Sequence, residues 1–163
     1  MSVNRFLPHV FVLPEDEANS QVANGFTLSP LLLNRQIQVL PAAGGWSQVV
    51  ERFKSQYIDK MDRNSLMSIV LLVDLDGHEE RLKRVKAEIP PHLVERVFVL
   101  GTLTKPEALR LAGLGSYEEI GFAMATDCRD GTDAVWSHDL LRHNATELER
   151  LRIHAGPILF PSN

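Results

Sequence analysis

Ser68 to Asp74 read SIVLLVD, and every position from Ile69 to Val73 is apolar. A strand with one wet face alternates apolar and polar side chains, so a run that does not alternate is buried on both faces. Such strands lie inside parallel sheets, whose neighbours are joined by crossovers, usually helices, packed on the sheet faces. This one stretch therefore asks for helices above and below it and for further strands beside it.

The rest of the chain supplies them in alternation. HVFVL (His9–Leu13) reads as a short buried strand, and DEANSQVANGF after it as a helix with Ala18, Val22 and Phe26 on one face. RQIQVLPA gives a second strand, with Ile37 and Val39 in period two. GGWSQVVERFKSQYIDKM is the clearest helix, with Trp46, Val49, Val50, Phe53, Tyr57 and Met61 on one stripe. HEERLKRVKAEI is helical, with Leu82, Val85 and Ile89 inward, and RVFVLG (Arg96–Gly101) is a fourth strand. This order predicts an α/β fold: a mostly parallel sheet of about four strands with helices on both faces, joined by right-handed crossovers. With 163 residues and no repeat or composition shift, the chain reads as one domain, with a core over 8–101 and a helical part over 102–163.

Beyond Gly101, TKPE (Thr104–Glu107) and SYEE (Ser116–Glu119) match the capping-box pattern, and NATE (Asn144–Glu147) is a relative with Asn as cap. Glu107, Glu119 and Glu147 are accordingly assigned to helix starts. GPILF (Gly156–Phe160) reads as a short edge strand or a docked tail.

Several function classes are excluded or disfavoured. No apolar run approaches the roughly 20 residues of a membrane helix, and MSVNRFLPHVFVL lacks the cleavage pattern of a signal peptide. Cys128 is the only cysteine, so there is no internal disulfide and no Cys-rich zinc site. It reads as a small apolar residue, and the chain as cytoplasmic. A net charge of −4 argues against gripping nucleic acid by bulk electrostatics without a partner. The six histidines form no H-E-x-x-H or Cys/His cluster, and only His78 adjoins a candidate site.

In open parallel sheets the site lies beyond the carboxyl ends of the strands. There the chain places PEDE (Pro14–Glu17), DLDG (Asp74–Gly77) and GTLT (Gly101–Thr104). Clustered carboxylates repel, and a hard cation such as Mg²⁺ or Mn²⁺ relieves the repulsion. Glu15, Asp74 and Asp76 are the candidate catalytic residues and, with Asp16, the candidate metal ligands. If the strand continues that far, Asp74 and Asp76 share a side and Leu75 faces away, with Gly77 allowing the turn. Without chemistry, Asp16 and Glu17 read as acids at a helix start, and Asp74 and Asp76 as a turn and cap. Arg81, Lys83, Arg84 and Lys105 lie close enough to meet nucleic-acid phosphates, though the first three also suit a solvated helix face paired with Glu79, Glu80 and Glu88. AAGGWS lacks G-K-[ST] and reads as a tight turn rather than a phosphate loop.

A glutamate after the first strand followed by an apolar run and D-x-D resembles the TOPRIM domain of topoisomerases, primases, OLD-family nucleases and small bacterial defence proteins. Glu15 matches the family's glutamate, and Asp74 and Asp76 its D-x-D pair. Asp16 stands where glycine is usual, and Asn19 where an acid is usual. The resemblance implies Mg²⁺-dependent phosphodiester chemistry on nucleic acid, with DNA favoured over RNA and an ATPase as a candidate partner subunit. Tyr57 lies on an apolar stripe and Tyr117 just after a cap, which favours hydrolysis over strand passage. Two rivals stand beside it. VLLVDLDG also resembles the D-x-D-G-T motif of haloacid-dehalogenase-like phosphatases, with His78 in the Thr position and Thr102 after the next strand, although two strand–helix units precede it here. The other rival is an interaction subunit that keeps the fold without the chemistry.

Overall fold

The structure, a computed structural model, describes residues 2–161. Its sheet has four parallel strands in the order β2-β1-β3-β4. They are β1 (His9–Pro14), β2 (Ile37–Val39), β3 (Met67–Leu72) and β4 (Val97–Leu100). The uninterrupted apolar run is indeed central: β3 pairs with β1 from His9↔Met67 to Pro14↔Leu72 and with β4 on its other side.

Helices cover both faces. On one, α1 (Glu17–Thr27), α5 (Pro106–Leu111), α6 (Tyr117–Asp130) and α7 (Ala145–Leu159) bury Val10, Val12, Val70 and Phe98. On the other, α2 (Trp46–Arg52), a π-helical turn (Phe53–Tyr57) and α3 (Ile58–Arg63) form one rod that, with α4 (Glu80–Ala87), buries Phe11, Leu13, Ile69 and Leu71. The π turn follows from the rod's stripe. Val49, Phe53, Tyr57 and Met61 recur every fourth residue, and at 3.6 residues per turn each step drifts by about 40°. One wider turn absorbs that drift and keeps all four side chains buried.

The C-terminal helices cover the sheet rather than standing apart from it. α6 crosses α1 closely enough that a Cβ on Gly121 would lie 1.8 Å from the Val22 carbonyl oxygen, and one on Gly25 2.1 Å from that of Glu118. Cys128 is buried in this layer, as its apolar neighbours predict, and burial pushes its thiol up to about 11.

Three local expectations are corrected. The capping box at Ser116/Glu119 forms with both hydrogen bonds, but Thr104 does not cap α5, whose N-cap is Lys105 without a side-chain bond. Asn144 does not cap α7 through its side chain either. It donates to the Gly101 carbonyl (2.9 Å) and accepts from the Gly101 amide (3.1 Å), while Glu147 accepts from Val99 N (3.1 Å). β4 is an edge strand, and these side chains satisfy backbone groups that no fifth strand pairs. GPILF is not a strand but the end of α7, with Pro157 inside the helix.

Candidate functional site

β1 and β3 are neighbours, so the residues after them meet. In the order 2-1-3-4 the crossover after β1 runs to β2 on one side and the crossover after β3 runs to β4 on the other, and the crevice between them is where open α/β sheets bind ligands. Glu15 follows β1 directly, and its Oε2 accepts from Asp74 N at 2.8 Å across 59 residues of sequence.

Asp74 lies two residues past β3, yet the chain stays laddered: Val73 N bonds Leu100 O (2.8 Å) and Leu75 N bonds Thr102 O (3.0 Å). Its carboxylate is only 3% exposed. Oδ2 accepts from Asn19 Nδ2 at 2.8 Å and Oδ1 from Thr102 N at 3.3 Å. Burial nonetheless pushes its pKa up to about 7; the Asn19 bond opposes this and the Glu15 carboxylate adds to it. Burial likewise raises Glu15, against the Asp74 backbone bond, with Asp16 raising it further and Arg81 lowering it.

Asp16 is the N-cap of α1. Its Oδ1 accepts from Asn19 N at 3.0 Å and from Asn19 Nδ2 at 3.1 Å. The side-chain amide of Asn19 thus bridges the carboxylates of Asp16 and Asp74. Asp76 is exposed and stands on a turn with φ 50°, a left-handed backbone that aspartate tolerates better than most residues. Strand parity therefore stops at Leu75, which is buried, and Asp76 does not share the buried side of Asp74. Gly77, with φ 77°, completes the turn as expected.

The glycine loop before α2 touches the same site. Gly44 N and Gly45 N both donate to the carbonyl of Glu15, at 2.8 and 3.2 Å. Those amides are committed to backbone, which favours the turn over a phosphate loop. From α4, Arg81 donates through Nη1 to the Asp74 carbonyl at 2.8 Å, and its guanidinium lies 4.9 Å from the centre of the Trp46 ring. Lys83, Arg84 and Lys105 are exposed. The expected pairing within α4 does not form: Glu88 binds Lys54 (2.8 Å), and Lys86 binds Glu147 (2.8 Å). His78 faces Glu80 at 3.6 Å.

No protein-family model matches the chain, and comparison with curated proteins and with solved structures gives no match.

What the site can do is thus read from its own chemistry. The donor set of Glu15, Asp16, Asp74 and Asp76 is all oxygen and suits a hard cation. Among the described residues no three His, Cys, Asp or Glu side chains converge as a finished metal cage. Mg²⁺ does not require one, because it binds through one or two carboxylates and completes its shell with water and phosphate. The sequence did not single out Asn19 as a bridge or Trp46 as a neighbour of Arg81. Asn19 lies one helical turn beyond Glu15, but its importance depends on β1 lying beside β3. Among the described residues no helix is long and apolar enough to cross a membrane.

Proposed function

We propose that the carboxyl ends of β1 and β3 form a site for Mg²⁺- or Mn²⁺-dependent hydrolysis of phosphodiester bonds in nucleic acid, with DNA favoured over RNA, as in the TOPRIM-type nucleases that the sequence resembles. The observation that carries this reading is the contact between Glu15 and Asp74 at the switch point of the sheet, where two acids held against burial have raised pKa values. Glu15 would offer the cation the carboxylate oxygen not committed to Asp74 N, with Asp74 behind it and Asp76 on the exposed turn beside it; a cation bound there would neutralise their charge, polarise a phosphoryl oxygen and activate a water. Glu15, half-buried and with its pKa raised by that burial, is a stronger base than an exposed carboxylate and is suited to take a proton from water. Arg81, fixed by its bond to Asp74 O, has further N–H groups that would bind a phosphate beside that residue. Lys83, Arg84 and Lys105 would add positioning contacts along the rim. Asp16 serves first as the cap of α1, which holds Asn19 in place.

A second reading has its own observation. The Asn19 amide lies between Asp16 and Asp74, much as a cation would. That arrangement suits a cytoplasmic interaction subunit, beside an ATPase for example, that has kept the fold without the chemistry. The phosphatase reading is less well served, because it asks a 3% exposed Asp74, held through both oxygens, to attack phosphate directly.

The deciding experiment is calorimetric titration of Mg²⁺ and Mn²⁺ into wild type, Glu15→Gln and Asp74→Asn, alongside cleavage of DNA and RNA. Loss of binding and cleavage in both variants supports the hydrolase. Wild type that binds neither metal and cleaves nothing points to the interaction subunit.

A further inference from the structure

Next to the acids lies a surface groove of about 200 Å³ lined by Trp46, His78, Glu80, Arg81 and Arg84. Trp46 opens the rod on one sheet face, and Arg81 and Arg84 sit one helical turn apart along α4. Val49, Phe53 and Met61 are buried completely, whereas Trp46, at the edge of the same cluster, is only partly buried. The Arg81 guanidinium packs over its ring at 4.9 Å, and the same side chain holds Asp74 O at 2.8 Å. A single residue thus joins an aromatic platform to the buried acid.

From this juxtaposition we infer that the Trp46–Arg81–Arg84 groove is a binding subsite for one unpaired nucleotide, its base stacked against the Trp46–Arg81 pair and its phosphate on Arg84. The inference rests on the nucleic-acid reading of the acidic site and adds the substrate class: single-stranded or frayed ends. Three features select this ligand. An aromatic face next to guanidinium planes is the usual platform for bases of any sequence. Bases within a duplex are stacked on one another and cannot reach such a face, whereas splayed bases can. The lining carries two arginines against Glu80, with His78 facing that glutamate, so charge alone gives a weak grip and stacking has to carry selection. A base seated on that pair would put its phosphate beside Arg84, with Arg81 one hydrogen bond from the Asp74 carbonyl.

The test uses Trp46 as its own reporter. Trp136 is the only other tryptophan and is buried, so Trp136→Phe leaves a single-tryptophan protein. Its fluorescence is titrated with an oligothymidylate and with a blunt duplex, in EDTA so that nothing is cleaved. The expected result is quenching by the single strand, weaker binding of the duplex, and a loss of roughly tenfold or more in single-strand affinity in Trp46→Ala, measured by anisotropy of a labelled strand. Trp46→Phe should recover part of that affinity, and matching melting temperatures exclude misfolding as the cause. Arg84→Ala should weaken binding and flatten its salt dependence. Equal affinity for single strand and duplex, or full affinity in a folded Trp46→Ala, overturns the inference. Cleavage is scored separately: metal-dependent cutting that ignores Trp46 sinks this subsite alone, whereas Trp46-dependent binding without cutting in any metal sinks the hydrolase alone.

Discussion

Asn19 Nδ2 lies 2.8 Å from Asp74 Oδ2 and donates to it, and the same nitrogen donates to Asp16 Oδ1 at 3.1 Å. One neutral amide therefore screens two acids that would otherwise face each other across the start of α1. Replacing it with a third acid reverses its effect. Asn19→Asp should destabilise the metal-free protein by roughly 1–3 kcal/mol, since a buried donor is lost and like charge is added. It should also increase the stabilisation gained from Mn²⁺ or Mg²⁺, because the added carboxylate is a ligand. Thermal melts with and without metal measure both effects. A variant that loses stability without gaining metal response shows that no cation is accommodated there.

Asp74 predicts how stability varies with pH. Burial pushes its pKa in the folded state up to about 7, above the ordinary 3.8 of an exposed aspartate. The native state therefore holds a proton that the unfolded chain has released, and between about pH 4 and 7 stability falls as pH rises. Below that window the effect vanishes, and above it the full penalty remains, on the order of 2–4 kcal/mol. Glu15, also raised, acts in the same direction. Urea denaturation of wild type and Asp74→Asn at pH 5 and pH 8 isolates the contribution: the variant should lose less stability over that interval. Its absolute stability is a separate matter, because asparagine sets one N–H group against neighbouring donors. A metal that binds the carboxylates should restore stability at pH 8 and tighten its grip as pH rises. Identical pH dependence in both proteins would show that Asp74 ionises normally.

Gly121 tests the support beneath the site. A Cβ there meets the Val22 carbonyl oxygen at 1.8 Å, which is backbone and cannot swing aside. Gly121→Ala must push α6 away from α1, at a cost of roughly 2–5 kcal/mol. Because α1 carries Asp16 and Asn19, the displacement should also reach Asp74. The expected result is a large drop in melting temperature together with weaker metal binding in whatever remains folded. A melting temperature within a degree of wild type would mean the helices do not cross this closely.

The parts of the fold that could be read from sequence are those set by short-range pattern. Ile69–Val73 announced a central strand because burial on both faces leaves no polar alternation. Ser116 and Glu119 announced a helix start because each bonds within the same turn. Glu15 and Asp74 were visible because sites in such sheets lie past strand ends. What escaped depends on strand order. NATE has the same local form as SYEE, yet Asn144 and Glu147 serve the exposed edge of β4, and nothing local says that β4 is an edge. Asn19 and Trp46 acquire roles only once β1 lies against β3 and α4 returns beside α2. GPILF read as an edge strand or a docked tail, but α7 runs through Pro157, because the carbonyl left free belongs to Ile153, which is 71% exposed and on the solvent side of α7.

Glu147 carries the last prediction. It is 5% exposed and accepts from Val99 N, and it binds Lys86 and Arg150, each at 2.8 Å. Both cations are partly exposed, so water offsets part of their loss; the Val99 amide has no such recourse. Glu147→Ala should therefore cost about 2–4 kcal/mol, combining an unsatisfied buried donor with a broken ion cluster. Glu147→Gln keeps an acceptor for Val99 N and loses only charge, so it should cost clearly less. The alanine variant also uncovers part of an edge strand, which is a template for pairing with another chain. Urea denaturation gives the order of stability, and size-exclusion chromatography of the folded fraction reads association. If alanine and glutamine cost the same and neither variant associates, then the cations, not the strand edge, are what Glu147 holds.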